Sequence, residues 1–522
     1  MKYLLFAFFL VSYDISAEEL LPIYPNAPFE MKELHEKVAR MAEDNNPLIN
    51  VFEMEKRELT KAQPKQQPWG GSFWPLIQGQ IANRWQEKSY FKPLDLMLWR
   101  KNVNKFKKKG KETLLQVDTL SEKDLAKLAP SEKYDILVGD KNYNLTHTVW
   151  DFVERWGETK KWGFLSSIDI PEGYRIPKAN KLMAFWEGIC HGWAVAAGTY
   201  PRPTKTVEIT LPDGRILPFY PHDIKALVSL YYANSILQDN VMIEGYRCNE
   251  KNIPKDKFGR HIDNLPKKAG EPHLPRCADV HPAVWHLGMV NITGIQKRSL
   301  IVEIDPDAPI NNFPFSGYEF KWFNPKTGKT GTLNEAIVDV KDYNDPYKEN
   351  RNAMTKKIVG VETKIFYTAW ITPKGTEDDS IDQDKIEDLS FMYDLELDEQ
   401  GNIVGGQWRA EKIVRSYGKD ETPPTIKHPD FFWVAPKNVA QYLKPIPMEN
   451  WDGRSLTPSS WLPASLNASG FVYNVTQEFG FREKCTVIPK RGRGAQEVDC
   501  EFKYPRPQPL INVIDKLVEL SK

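Results

Sequence analysis

From Ser299 to about Trp408 the chain alternates apolar and polar residues with a period of two, as in Lys357-Ile358-Val359-Gly360-Val361-Glu362-Thr363-Lys364-Ile365-Phe366-Tyr367. Successive side chains of a β-strand point to opposite faces, so this pattern requires extended backbone and argues for an antiparallel sheet. The first third of the chain has another rhythm. Met31 to Met41 places apolar residues at helical spacing, and residues 18–165 read as a mainly helical region broken at the Pro/Gln-rich stretch from Gln63 to Pro68. Helices and strands segregated along the chain in this way predict an α+β fold.

Between the two regions lies Phe185-Trp186-Glu187-Gly188-Ile189-Cys190-His191-Gly192-Trp193-Ala194. Gly188 permits a sharp bend, and the run from Trp193 to Ala197 reads as the start of a helix, which puts the Cys190 sulfur at or near a helix N-terminus. Unpaired N–H groups and the helix dipole stabilise a thiolate there, and such sites bring a cysteine pKa from about 8.5 down to roughly 3.5–7.5. Downstream lie His286, in Val284-Trp285-His286-Leu287-Gly288, and Asp305, in Val302-Glu303-Ile304-Asp305-Pro306. Cys, His, Asp is the chain order of papain-like thiol acyl-transfer sites. His286 is expected to precede the sheet or lie on its first strand, and Asp305 to end the next strand. His191, which projects about 100° from its neighbour on a helix, and His281 compete as the base; Asp307 and Asn291 compete as the orienting group. Trp186 and Trp193 read first as packing residues and second as an aromatic wall lining an acyl channel.

The N-terminus makes the other cysteines readable. Lys2, an apolar run from Tyr3 to Val11 and a polar stretch ending on Ala17 have the layout of a secretory signal, with a run too short to span a bilayer. Export to a secreted, periplasmic or cell-envelope location follows, and with it an oxidising compartment. Cys248 with Cys277 and Cys485 with Cys500 are then the economical disulfides of the three pairings that four cysteines allow, leaving Cys190 free. No later segment approaches ~18 uninterrupted apolar residues. With 70 basic and 70 acidic residues the net charge is +0, which gives no field for nucleic acid or anionic membrane.

At 522 residues the chain is too long for one core of roughly 150 residues. The expected organisation is a signal at 1–17, a mainly helical region at 18–165, a catalytic Cys-His-Asp core at 166–436 and a disulfide-stapled region at 437–522. A basic run, Arg100-Lys101, Lys105 and Lys107-Lys108-Lys109, and an acidic one, Glu377-Asp378-Asp379 with Asp382 and Asp384, read as solvated surface. The acidic run lacks the central glycine and terminal glutamate of a calcium loop, so no metal site is assigned, no cofactor is required, and calcium dependence is not readable.

With those residues in view, the sequence resembles the transglutaminase elicitor family of oomycetes, which also has bacterial members. Pro68-Trp69-Gly70-Gly71-Ser72-Phe73-Trp74-Pro75 is similar to its N-terminal Trp-rich signature, and Glu132-Lys133-Tyr134-Asp135 with Val138-Gly139-Asp140 to a second. Gly188 to Ala194 is similar to its nucleophile motif, Trp285-His286 with Asn291-Ile292-Thr293-Gly294 to its histidine motif, and His428-Pro429-Asp430-Phe431-Phe432-Trp433 to its distal one. Asn311 to Tyr318 takes the place of the surface peptide that plants recognise in oomycete members, but lacks its Trp-Asn-Gln-Pro-Val start.

The resemblance implies a protein-glutamine γ-glutamyltransferase on a papain/transglutaminase-like core. A helix bearing Cys190 would pack on an antiparallel sheet bearing His286 and Asp305, and the partners would be proteins carrying glutamine and lysine, or polyamines. A papain-like cysteine peptidase or a glutamine deamidase would use the same residues, and a non-enzymatic secreted binding protein is a third reading.

Overall fold

The computed structural model of the chain describes residues 21–22, 31–87, 108, 110, 112, 116–159, 187–235, 241–245, 280–304, 311–345, 347–348, 351–373, 378–410, 429, 431–437, 450–465, 482–489, 496–502 and 509–522. The signal-like residues 1–17 lie outside this set, as do Trp186, Cys248, Cys277 and Asp305.

The helical spacing at Met31 becomes α1 (Met31–Ala42), which buries Leu34, Val38 and Met41 along one stripe. In α2 (Val51–Lys56) the Asn50 side chain caps the first turn by accepting from the N–H groups of Phe52 and Glu53. Pro130 opens α3 (Pro130–Leu137), where a missing N–H costs nothing, and α4 (Asn144–Thr159) follows. Next come α5 (Cys190–Thr199), α6 (Pro221–Ser235) and α7 (Pro282–Gly288). The last runs on as a π-helix, Met289–Ile295, and α8 (Pro509–Leu520) closes the chain.

The strands are β1 (Leu21–Pro22), β2 (Lys61–Ala62), the hairpin β3 (Val207–Thr210) and β4 (Ile216–Phe219), β5 (Met242–Gly245), β6 (Ile301–Glu303) and β7 (Phe313–Phe323). They continue with β8 (Lys357–Ala369), β9 (Lys385–Leu397), β10 (Ile403–Ala410), β11 (Phe431–Val434) and the hairpin β12 (Arg482–Pro489) and β13 (Gln496–Phe502). Among the described residues one large sheet runs in the order β1-β10-β9-β8-β7-β6-β11-β5, with β2 paired beside β7. Its pairings are antiparallel, as the alternation from Ser299 onward requires.

Direct cross-strand partners share a face, so the register sorts every side chain. Phe315, Tyr318, Phe320 and Trp322 of β7 share a face with Thr363 of β8, Phe391 and Tyr393 of β9 and Trp408 of β10. Val302 and Phe432 belong to the same side. Here α7 packs, with the Trp285 ring edge-on to Phe315 at 6.2 Å, Phe391 at 5.9 Å and Phe432 at 5.3 Å. The opposite face carries Asp394, Glu396 and Arg409 at one end, and Glu303 and Trp433 at the other. Arg351 closes the charged end, bonding Asp345 and Asp394 at 2.8 Å and Glu396 at 3.2 Å, while Arg409 reaches Asp394 at 2.6 Å.

Among the described residues one apolar core takes in side chains from Leu34 to Val518, β2 joins β7, and α8 packs on α6. Two expectations are corrected. The acidic run is not all solvated, because Asp379 and Asp384 are buried against Arg202, with Lys225 also at 2.5 Å from Asp379. Their oxygens are taken up by these cations and by the Gly70 N–H. The segment from Asn312 to Ser316 is buried where β7 begins, not a surface peptide.

Helices α5 and α6 cross at Gly192, where an added Cβ would fall inside contact with the Ser229 carbonyl and lie 2.6 Å from Ala233. Gly192→Ala should therefore lower stability by about 1–3 kcal/mol, the usual cost of overpacking, measured as a fall in urea midpoint with an unchanged slope.

Candidate active site

The Trp-rich segment lies alongside the cysteine helix. Trp69 Nε1 donates to the Tyr200 carbonyl at 3.0 Å, just beyond the C-terminal end of α5. At the other end, Ile189 N–H donates to the Phe73 carbonyl and Leu76 N–H to the Glu187 carbonyl, both at 2.8 Å. Two glycines allow this approach. A Cβ on Gly188 would overlap the Phe73 carbonyl, and one on Gly71 would lie 2.5 Å from the Trp193 indole nitrogen. Lys225 Nζ donates to the Gly70 carbonyl at 2.7 Å, and Asp384 accepts from the Gly70 N–H at 2.6 Å, so buried charges hold the segment down.

Trp193 is fully buried and its indole N–H points to the Trp69 carbonyl at 3.4 Å. It packs the strap, the Trp-rich segment, onto α5, in line with the packing role read first for that residue. The exposed aromatic surface nearby is another pair: Phe73, whose carbonyl holds Ile189, and Trp370, which is 45% exposed, meet edge-to-face at 5.2 Å.

Cys190 is the first residue of α5, as expected, and keeps partial exposure. Its Sγ lies 3.4 Å from Asn312 Nδ2, and Asn312 Oδ1 accepts from Trp433 Nε1 at 2.8 Å. The backbone N–H groups of Asn312 and His191 also favour the thiolate. The sulfur is nevertheless enclosed, and burial outweighs these donors; with the Glu303 charge acting in the same direction, the thiol is pushed up from its ordinary range. The direction is opposite to the lowering expected at a helix N-terminus.

His286 is on helix α7 and not on a strand. Its ring is fully buried among Phe320 at 4.9 Å, Trp322 at 6.1 Å and Tyr393 at 5.9 Å, with Nδ1 bonded to the Tyr393 hydroxyl at 2.9 Å. These neighbours occupy the α7 face, whereas Glu303, whose charge acts on the thiol, and Trp433, which bonds Asn312, are on the other. Phe320 is also eight residues along β7 from Asn312, roughly 26 Å at a strand rise of about 3.3 Å per residue. The structure does not bring His286 to Cys190.

The other candidates have structural partners. The His191 ring engages the Ala233 backbone, and burial lowers its pKa to about 4. His281 caps α7, its Nδ1 accepting from Ala283 N–H at 3.2 Å. Asn291 exchanges two hydrogen bonds with the Leu48 backbone, at 2.7 and 2.9 Å. The second signature is a buried polar joint: Glu132 pairs with Arg84 at 2.7 Å, Lys133 with Asp223 at 2.6 Å, and Asp135 accepts from Leu145 and Thr146 N–H. Asp305 and Asp307 lie outside the described residues, and among those described no His, Cys, Asp and Glu cluster suits a metal ion.

A family described as Transglutaminase elicitor matches residues 173–443, just over half of the 522-residue chain. The chain belongs to the transglutaminase elicitor family. The family segment contains Cys190, Glu303, Asn312 and Trp433, while the Trp-rich strap and the second signature precede it. The crystal structure of the GP42 transglutaminase from Phytophthora sojae is similar at 18% identity and a TM-score of 0.47, covering 85% of this chain and 99% of that one. A search of curated proteins finds no match.

Three buried histidines set an acid limit on the fold. His191 is lowered to about 4, and His281 and His286 to about 3, chiefly by burial, against about 6.5 unfolded. The unfolded chain therefore binds more protons below about pH 6.5, and stability falls progressively as pH drops toward 3. The unfolding temperature should follow that course, and His286→Phe should flatten it while leaving iodoacetamide labelling of Cys190 unchanged. Because burial pushes the Cys190 thiol up, its labelling rate should still be climbing with pH above about 10, where a free thiol with its midpoint near 8.5 has levelled off.

Proposed function

We propose that this family member is an exported protein-glutamine γ-glutamyltransferase with Cys190 as its nucleophile. The observation that carries this reading is the setting of the sulfur: first residue of a helix, partly accessible, and met by the Asn312 carboxamide at 3.4 Å beside the buried carboxylate of Glu303. Family membership and the signal-like N-terminus support the same assignment.

In the proposed reaction Glu303 takes the place first expected of His286. Its carboxylate accepts the thiol proton as Sγ attacks the γ-carboxamide of a protein glutamine. The C–N bond then breaks, the proton passes to the departing ammonia, and a thioester remains. A primary amine, such as a lysine side chain or a polyamine, attacks the thioester carbon and gives up a proton, releasing the isopeptide and restoring the thiol. Asp305 stays with the site as a candidate by family resemblance, two residues beyond Glu303 in sequence.

In the C-terminal hairpin, Cys485 and Cys500 are direct backbone partners in the register of β12 and β13. Such positions are about 4.5–5.5 Å apart at Cα, inside the range a disulfide spans, which supports the proposed 485–500 bridge. The 248–277 pairing remains a proposal from the sequence.

Incorporation of a fluorescent primary amine into casein tests the activity. Cys190→Ala should abolish it without loss of fold, and Glu303→Gln should lower the rate by about 10²–10⁴, the usual range for a lost general base. Casein cleavage without incorporation would replace the reading by a peptidase, and ammonia release without incorporation by a deamidase. Full activity in Cys190→Ala would remove the nucleophile assignment.

A further inference from the structure

We propose that the Asn312 carboxamide, held by the Trp433 indole, is the second oxyanion donor of the acyl-transfer site, acting with the backbone N–H of Cys190. The inference rests on the thiol reading above and supplies the electrostatic part of it.

The orientation of the amide follows from chemistry. An indole N–H can only donate, so the Asn312 atom that it meets at 2.8 Å is the carbonyl oxygen, and the NH₂ group is thereby turned toward Sγ at 3.4 Å. Both partners are rigidly placed. Trp433 lies within β11, opposite Ile301 of β6, and Asn312 immediately precedes β7, whose first residues pair with that same strand. Asn312 is 8% and Trp433 4% exposed, so water competes little for these bonds. The first N–H groups of a helix lack intrahelical partners, and Cys190 is the first residue of α5.

The chemistry favours such a donor late rather than early. A neutral thiol sulfur is a weak acceptor, so the resting Asn312 contact is weak. When Sγ bonds to the acyl carbon, the C=O π pair moves onto oxygen, and that oxyanion is two bonds from the sulfur the amide already reaches. Collapse returns the pair to the C=O bond and expels the leaving group. The donor thus interacts more strongly with the tetrahedral adduct than with the resting enzyme, which is the condition for accelerating the step.

Two reagents separate this role from a merely structural one. p-Nitrophenyl acetate forms an oxyanion on acylating Cys190, whichever amide is the natural donor; iodoacetamide alkylates the same sulfur at a saturated carbon and forms none. Asn312→Ala should lower kcat for the ester by about 10²–10³ with little change in KM, while the iodoacetamide rate constant, compared on its high-pH plateau where the thiol is fully ionised and the amide's hold on the thiolate no longer counts, falls far less. Trp433→Phe, which keeps a ring and loses the N–H, should move the same parameter in the same direction by a smaller factor.

Equal losses with both reagents, or an unchanged ester kcat, would overturn the assignment. If Asn312→Ala fails to fold, Asn312→Ser and Trp433→Phe carry the same comparison. Wild-type protein that opens the ester but incorporates no amine would refute the transglutaminase reading and leave the Asn312 role standing. Protein that opens no ester at Cys190 would refute both.

Discussion

The antiparallel sheet carries a buried aromatic layer on one face and buried polar groups toward the ends of the other, and its alternation of side chains decides what can meet what. On β6 and β11, Val302 and Phe432 turn toward the Trp285 helix, whereas Glu303 and Trp433 turn toward the cysteine helix. A one-residue slip would exchange these sets, placing a carboxylate and an indole N–H in an aromatic core. The same rule keeps His286 away from the thiol: its ring neighbours Phe320, Trp322 and Tyr393 belong to the α7 face. The surroundings of Cys190 are therefore assembled from one face of the sheet, one helix end and one strap.

The strap shows how stability and site geometry are joined. Buried ion pairs contribute little by themselves, since desolvation offsets attraction, but removing one partner typically costs about 3–5 kcal/mol. Lys225, Asp379, Asp384 and Arg202 form such a group, and two of them bond the Gly70 backbone, a few residues from Phe73 and its hold on Ile189. The motif looks chemical in the sequence because it is rich in tryptophan. Its glycines and its backbone hydrogen bonds are what position the sulfur.

Local features were legible from the sequence. The period-two pattern at Lys357–Tyr367 became a strand, and Gly188 followed by an apolar run became a bend and a helix headed by Cys190. His286 was misplaced because Val284, Trp285, Leu287 and Met289 surround it with apolar residues, and a buried helix and a buried strand look alike over so short a stretch. The raised thiol was hidden for a different reason: a helix N-terminus is visible locally, but desolvation depends on everything that packs over it. Glu303, Asn312 and Trp433 come together only through the pairing of β6 with both β7 and β11. Trp433 did have a signal in the distal motif His428 to Trp433, though nothing there said what it would touch.

The π-helical stretch Met289–Ile295 carries Asn291, whose amide makes with Leu48 the two-way hydrogen bonding that one strand makes with another. Such a stretch holds an extra residue relative to an ordinary α-helix. A relative one residue shorter before Asn291 could complete the helix with regular geometry, but each later side chain would then be turned by about 100° around the axis. Leu48 would lose its latch, and with it the segment that leads into α2. Chain length across these seven residues, more than the identity of any one of them, thus decides whether Asn291 can fasten the N-terminal region in this way.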